Sequence, residues 1–342
     1  MRVAMYYRNN DIRIEEMPMP SIGPGELLMR VETSGICGSD VLEWYRLKKA
    51  PLVLGHEVAG EVIKVGTGVS RYKVGDRIVA AHHVPCNACY YCLNGHHTAC
   101  EMLRQTNFDP GGFAEYIRLP AINVDRGVFP ISDDLSYQEA TFHEPLGCVL
   151  RAHRIARLRP GQSVLVFGCG IAGLLNVSLA KASGASLIMA VDPVPFRLQA
   201  AKRFGADKVL KPSENIEKTL RRINSGRLAD LVLVCTGAGD AFLQALRSVE
   251  RGGTVLFFAP SDPGLTIPLP INDLFFRNDI TLTTSYGASP YDSCVALELI
   301  RSSRVKVRDM ITHWFPLEET QKGFEIVARA TDSLKVMIEP QK

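Results

Sequence analysis

Four cysteines, Cys86, Cys89, Cys92 and Cys100, fall within the stretch CNACYYCLNGHHTAC. The spacing C-x2-C-x2-C-x7-C gathers four thiols into one short polar loop. Few uses other than a tetrahedral metal need sulfurs so close together, and zinc in closed structural sites takes them at about 2.3 Å. Disulfides are the competing use, but nothing in the sequence points to an oxidising compartment. A second set of candidates is dispersed: Cys37 in CGSD, His56 and Glu57 in GHEVAG, Glu144 and Cys148 in HEPLGC. Singly, each has an ordinary reading as a buried thiol, a core histidine or a solvated carboxylate. Together they offer a thiolate, an imidazole and a carboxylate, a mixed set that suits a catalytic zinc with one position open.

A third set is built for phosphate. Gly168, Gly170 and Gly173 form G-x-G-x-x-G, written GCGIAG with Ile171 and Ala172 between the last two glycines. The first glycine allows a tight turn, the second lets backbone approach a pyrophosphate, and the third lets helix and strand pack closely. The amides opening the following helix then face the phosphates. Asp192 ends the next apolar run, where a ribose-binding acid is expected; its charge repels a 2′-phosphate and favours NAD over NADP. Arg197 is the counter-signal, since a guanidinium there could serve a phosphate.

The elements that must position these groups divide into two textures. Up to about residue 145 short β runs are broken by Gly and Pro, as in ELLMRVETS (26–34), EVAGEVIKVG (57–66) and DRIVAAHHV (76–84). That pattern predicts a small barrel or sandwich. From about residue 160, apolar strands alternate with helical stretches: SVLVFG, LIMAVD, DLVLVCTG and TVLFFAP, with helical runs between them. This alternation predicts parallel βαβ units in a doubly wound sheet, an α/β architecture. After about residue 288 come two helical patches and a final strand, LKVMIEP (334–340).

With 342 residues the chain is long for one core and suggests two domains. Hydrophobic residues make up 46% and charged residues 22%, ordinary for a globular enzyme. A net charge of +3 gives no footprint for nucleic acid or a membrane surface. Charges run through the first residues, and no apolar run reaches the length of a spanning helix, so a cytoplasmic location is expected.

In these motifs the chain resembles the zinc-dependent medium-chain dehydrogenase/reductase (alcohol dehydrogenase) family, and most of all its sorbitol and threonine dehydrogenase branch. The pattern GHE-x2-G-x5-G-x2-V is met by Gly55, His56, Glu57, Gly60, Gly66 and Val69. The four-cysteine lobe, GGFAEYIRLP (111–120), the glycine motif and the terminal LKVMI follow in family order. The resemblance implies a GroES-like β-barrel catalytic domain over residues 1–146, with a structural zinc lobe at 82–104. It implies a Rossmann NAD-binding domain over 147–287 and a return of 288–342 to the catalytic domain. A catalytic zinc is expected on Cys37, His56 and Glu144, with Glu57 or Cys148 as the alternative third ligand. Asp40 would orient His56, and Ser39 would relay the substrate proton. Lys335 resembles a basic position that reaches the cofactor's pyrophosphate, while Thr236 and Gly237 approach the nicotinamide ribose.

Two departures from the family pattern stand out. Leu42 replaces the histidine that often ends the proton relay, leaving Glu43 or water to take its place. The interval from Cys37 to His56 is short and contains Trp44, Tyr45, Arg46, Lys48 and Lys49; the basic trio reads as a solvated surface before it reads as an anion site. The expected activity is oxidation of a polyol-like secondary alcohol to its ketone by NAD, with two zincs per chain. Alternatives are a threonine-type, hydroxy-acid or cyclic alcohol dehydrogenase, and, from another class, a non-catalytic nucleotide- and zinc-binding protein. The expected partner is a small-molecule alcohol or ketone, with no nucleic acid and no membrane. Family habit implies a homodimer or homotetramer; a candidate interface is the strand pair near 254–258 and 280–284, whose apolar edges could continue a sheet across a two-fold axis.

Overall fold

The computed structural model describes residues 1–342. It divides into two compact units, Met1–Gly147 with Ala288–Lys342, and Cys148–Gly287. No helix is long and apolar enough to cross a membrane.

The first unit is built on a seven-stranded sheet around the long strand Leu27–Ile36. That strand pairs antiparallel with Glu57–Val65, with Tyr116–Leu119 and with the late strand Lys335–Glu339. Its apolar side chains meet a core that includes Val3, Met29, Val31, Val58, Phe113 and Ile338. Lys335–Glu339 also runs parallel to Ile311–Pro316, so the residues after the second unit rejoin the first sheet. A smaller sheet joins Arg2–Arg8 to Asp11–Glu16 and Leu52–Val53. The helix Pro290–Arg301 starts on a capping box between Ser289 and Asp292, which satisfies amides at its open end.

The second unit is a six-stranded parallel sheet. Its order is Lys208–Leu210, Leu187–Val191, Ser163–Phe167, Ala229–Val234, Val249–Phe257 and Thr281–Thr284. The strand order reverses between Ser163–Phe167 and Ala229–Val234, where open α/β sheets bind ligands beyond the strands' carboxyl ends. Ser163–Phe167 is buried at every position, as a central strand covered on both faces must be. Gly168 then turns the chain at φ +86°, and Gly173 packs against the Gly168 carbonyl, where a Cβ has no room.

Candidate active site and metal centres

Register brings the first group of reactive side chains together. Gly35 in Leu27–Ile36 lies opposite Glu57 in Glu57–Val65, so Cys37 and His56 emerge side by side at one sheet end. Val336 pairs with Ile36, which delivers Lys335 to the same end. Gly35 leaves the space that the Glu57 carboxylate fills; a methyl group there would collide with it. The ligand atoms of Cys37, His56 and Glu57 lie within 4.8 Å of one another.

The supports of this group are short and specific. Asp40 is fully buried; its Oδ2 accepts the Cys37 amide at 3.0 Å and its Oδ1 lies 3.4 Å from His56 Nδ1. The Ser39 amide donates to Cys37 Sγ at 3.5 Å. Burial alone would raise the Asp40 pKa, but His56, Arg46 and the Cys37 amide outweigh it and hold the carboxyl below its usual range. Burial likewise opposes a charge on His56, yet Asp40 and Cys37 raise its pKa well above the ordinary histidine value. A cation is therefore favoured where Cys37, His56 and Asp40 converge, and a metal ion supplies one without a proton. Glu57 Oε1 is buried with no hydrogen-bond partner, an orphan that a metal would satisfy.

Three residues stand differently from the sequence expectation. Glu144, at the first turn of His143–Ala156, is outside the 4.8 Å group, and Glu57 occupies the carboxylate place in it. Glu144 is still close enough to raise the Lys335 pKa, together with Glu57 and Cys37, against the opposing effect of burial. Cys148 follows one helical turn later and falls in the second unit. Lys335, expected at a pyrophosphate, is instead wholly buried: its ammonium pairs with Glu57 Oε2 at 2.5 Å and donates to the Ile36 carbonyl at 3.3 Å. Strand pairing over a separation of 278 residues put it there, which no local pattern signals. Arg46 is the third. It turns inward with its side chain 16% exposed, whereas Lys48 and Lys49 are exposed as expected. Glu43 accepts the Asn9 amide at 3.1 Å.

Two histidines were missed in the sequence. Ala81 pairs with Glu57, so His82 follows beside His56, with ring centroids 4.8 Å apart. The His83 ring lies tilted against His82, with centroids 3.9 Å apart, and bonds the Thr106 carbonyl through Nδ1 at 2.7 Å. Burial pushes the His82 pKa well down and that of His83 to about 4, so both rings are neutral near pH 7. The signal was the HH pair ending a strand that the alternation had already marked.

The cysteine lobe forms a closed centre. Its four sulfurs lie within 4.8 Å, with Cys89 and Cys92 at 3.6 Å and Cys86 and Cys92 at 4.0 Å. Sulfurs on a tetrahedral zinc, each about 2.3 Å from it, stand about 3.8 Å apart. No disulfide joins any of the nine cysteines. The amides of Ala88 and Cys89 hold the Cys86 thiol down at about 6, which readies it as a thiolate, while burial pushes Cys92 up to about 12. Beyond cysteines, the lobe's buried cluster contains only Leu103, too little apolar surface to hold the loop without a metal.

In the second unit the glycine turn leads to Ile171–Ala182, whose N-cap Gly170 offers no side-chain bond. The first-turn amides of Ile171, Ala172 and Gly173 thus remain for an anion. Asp192 is buried: its Oδ2 accepts the Cys169 amide at 2.7 Å and its Oδ1 the Val194 amide at 2.8 Å. Arg197 points its guanidinium toward Gly170, with Nη1 4.0 Å from where a Cβ would stand. Thr236 and Gly237 follow the strand beside the glycine turn, and Thr236 Oγ1 accepts the Ala238 amide at 3.4 Å.

Comparison with known proteins agrees with both halves. Residues 23–133 match the family described as alcohol dehydrogenase GroES-like domain, and residues 172–302 that described as zinc-binding dehydrogenase. The chain is 33% identical over 356 residues to sorbitol dehydrogenase of Bacillus subtilis (strain 168), covering 100% of this chain and 98% of that one. It is 35% identical over 337 residues to L-threonine 3-dehydrogenase of the same organism, covering 96% and 94%. Among solved structures, alcohol dehydrogenase TADH from Thermus sp. ATN1 matches with a TM-score of 0.85 at 30% identity, over 99% of each chain.

Proposed function

Because the chain belongs to the zinc-dependent medium-chain alcohol dehydrogenase family, we propose that it oxidises a polyol-like secondary alcohol to the ketone, with NAD as the acceptor. The observation that carries this reading is the sheet-end group of Cys37, His56 and a carboxylate, backed by Asp40. One sulfur, one nitrogen and one oxygen leave a tetrahedral ion one open position. When bound, zinc contributes Lewis acidity at the substrate's hydroxyl oxygen and NAD contributes the hydride acceptor.

Cys37 and His56 hold the ion in this reading, with Glu144 as third ligand. Glu57 is a second reading for that place, favoured by its buried, unpartnered Oε1. Ser39, beside Cys37, takes the substrate's hydroxyl proton and passes one on. Asp40 fixes the His56 ring through Nδ1, leaving Nε2 for the ion. Cys86, Cys89, Cys92 and Cys100 hold a second zinc with no part in the chemistry. Gly168, Gly170, Ile171, Ala172 and Gly173 receive the pyrophosphate, Asp192 and Arg197 the adenosine ribose, and Thr236 and Gly237 the nicotinamide ribose. Oxidation releases a proton, so alkaline pH favours it.

A relative named sorbitol dehydrogenase supports the polyol, and one named L-threonine 3-dehydrogenase supports a hydroxy amino acid as the alternative substrate. Absorbance of NADH formed by the zinc-loaded chain over polyols, threonine, hydroxy acids and cyclic alcohols tests the reading. Turnover of polyols with NAD is expected. Turnover of threonine alone would move the substrate class. Two bound zincs and NADH binding with no turnover across the panel would overturn the polyol reading and place the substrate outside these classes. Glu144→Ala is expected to release the catalytic zinc more readily than Glu57→Gln or Cys148→Ala; the reverse order reassigns the third ligand.

The reading includes a homodimer or homotetramer in a cytoplasmic setting. Of the two strands named for the interface, Thr281–Thr284 is at an edge of the parallel sheet and Val249–Phe257 is paired on both sides, so the former is the one open to a second copy. Light scattering of the purified chain tests the assembly.

A further inference from the structure

Arg46 belongs to the short loop after Cys37, and each side-chain hydrogen bond it makes goes to the supports of the metal group. Its Nη2 donates to Asp40 Oδ1 at 2.8 Å and to Ser39 Oγ at 3.1 Å, and its Nε donates to the Ser39 carbonyl at 3.0 Å. Asp40 is 0% exposed and has three partners: the Cys37 amide, His56 and Arg46. A histidine that ligates a metal is neutral, so with the ion bound Arg46 is the one permanent cation on this buried carboxylate. Without that cation, a buried carboxylate is costly to keep in place.

Ser39 is constrained by the same guanidinium. A hydroxyl has two lone pairs and one hydrogen. Arg46 fills one lone pair and ties the backbone carbonyl, which leaves one acceptor place and one donor hydrogen in fixed directions. That remaining pair is the minimum needed to take a proton from a substrate hydroxyl and hand another on. Arg46 can accept no proton itself, so it steers the hydroxyl without joining a relay.

We infer that Arg46 is a positioning residue of the metal centre, anchoring the Asp40 carboxylate behind His56 and aiming the Ser39 hydroxyl. The inference rests on the reading of Cys37 and His56 as zinc ligands. It is tested in the full-length chain with Arg46→Met and Arg46→Lys. Zinc per chain is measured after equilibration against chelators of graded strength, and kcat and KM are measured at saturating zinc. The cysteine-lobe zinc is an internal control, because it shares no bond with Arg46.

Wild type is expected to hold two zincs. Arg46→Met is expected to keep the lobe zinc and bind the other about 10–100-fold more weakly, as removal of an outer support does elsewhere. Arg46→Lys offers one nitrogen on a shorter arm in place of the Nε and Nη2 pair, so it can keep Asp40 but not also hold both the carbonyl and the hydroxyl of Ser39; it should recover much of the zinc affinity while kcat stays low and KM for NAD is unchanged. Equal zinc affinity and equal kcat in both variants would overturn the inference while leaving the zinc reading intact. One zinc in wild type would bring down the zinc reading itself, and the inference with it. Loss of both zincs in Arg46→Met marks general misfolding; the decision then falls to Arg46→Lys, where unchanged kcat overturns the inference.

Discussion

Lys335→Met removes one charge from an ion pair whose side chains are 0% and 1% exposed. The stem is kept, so its packing near the Phe142 ring changes little. What changes is that Glu57 is left charged and buried, with Cys37 and Glu144 close by and no ammonium facing them. Breaking a buried pair from one side costs about 3–5 kcal/mol, whereas removing both charges is often near neutral. Lys335→Met should therefore lower the stability of the zinc-free first unit by about 3–5 kcal/mol, and Glu57→Gln with Lys335→Met should regain most of it. Zinc should soften the single variant's loss, because a Glu57 carboxylate released from Lys335 can turn to the ion. The folded-state pKa of Lys335 is raised above 10.5, so the ammonium's contribution is complete below that value and is lost as pH rises through the folded-state pKa. Urea unfolding followed by circular dichroism, with and without zinc at pH 7, measures each of these quantities. A zinc-free Lys335→Met protein within about 1 kcal/mol of wild type would refute the reasoning, as would a double variant no more stable than the single.

Two further outcomes are expected in the second unit. His153 is buried, its Nε2 bonded to Asn176 Oδ1 at 3.0 Å, and burial holds its pKa at about 4. A depressed histidine contributes fully above its unfolded pKa, so the unit should lose roughly 3 kcal/mol as pH falls from 6.5 toward 4, read from urea melts, and His153→Gln should flatten that slope. Asp192→Ala leaves the Cys169 and Val194 amides without their acceptor, at about 1–3 kcal/mol, and removes the charge that repels a 2′-phosphate. Calorimetry should show NADH binding weakened more than NADPH binding; an unchanged ratio of the two would exclude Asp192 from cofactor choice.

What could be read beforehand depended on whether the relevant neighbours are local in the chain. The parallel sheet was legible because strands such as Ser163–Phe167 are buried on both faces and read as unbroken apolar runs. The cysteine lobe was legible because all four thiols come from one loop. The α/β architecture followed from the same alternation. The sheet-end group was less accessible. Its residue types were visible, but which carboxylate faces Cys37 depends on the Gly35–Glu57 register and on side-chain reach. For Lys335 the resemblance implies a pyrophosphate, since a cation's identity does not reveal its partner and the partner lies on a strand far back in the chain. Arg46 read as surface because a short charge run has no face until a buried Asp40 and Ser39 give it one. His82 owes its position to the Ala81–Glu57 pairing, again a matter of register.

The strand Lys335–Glu339 has a consequence for how the protein is made. It pairs with Leu27–Ile36, yet the ribosome produces it only after all of Cys148–Gly287. The second unit, continuous in the chain, can fold while translation proceeds. The first unit must wait, with residues 34–36 of Leu27–Ile36 lacking their partners on one side and Glu57 lacking its counter-charge until Lys335 emerges. The nascent chain should therefore gain nucleotide affinity before it gains a finished metal centre, and a holdase that shields the waiting strand would improve yield more than one that acts on the completed chain.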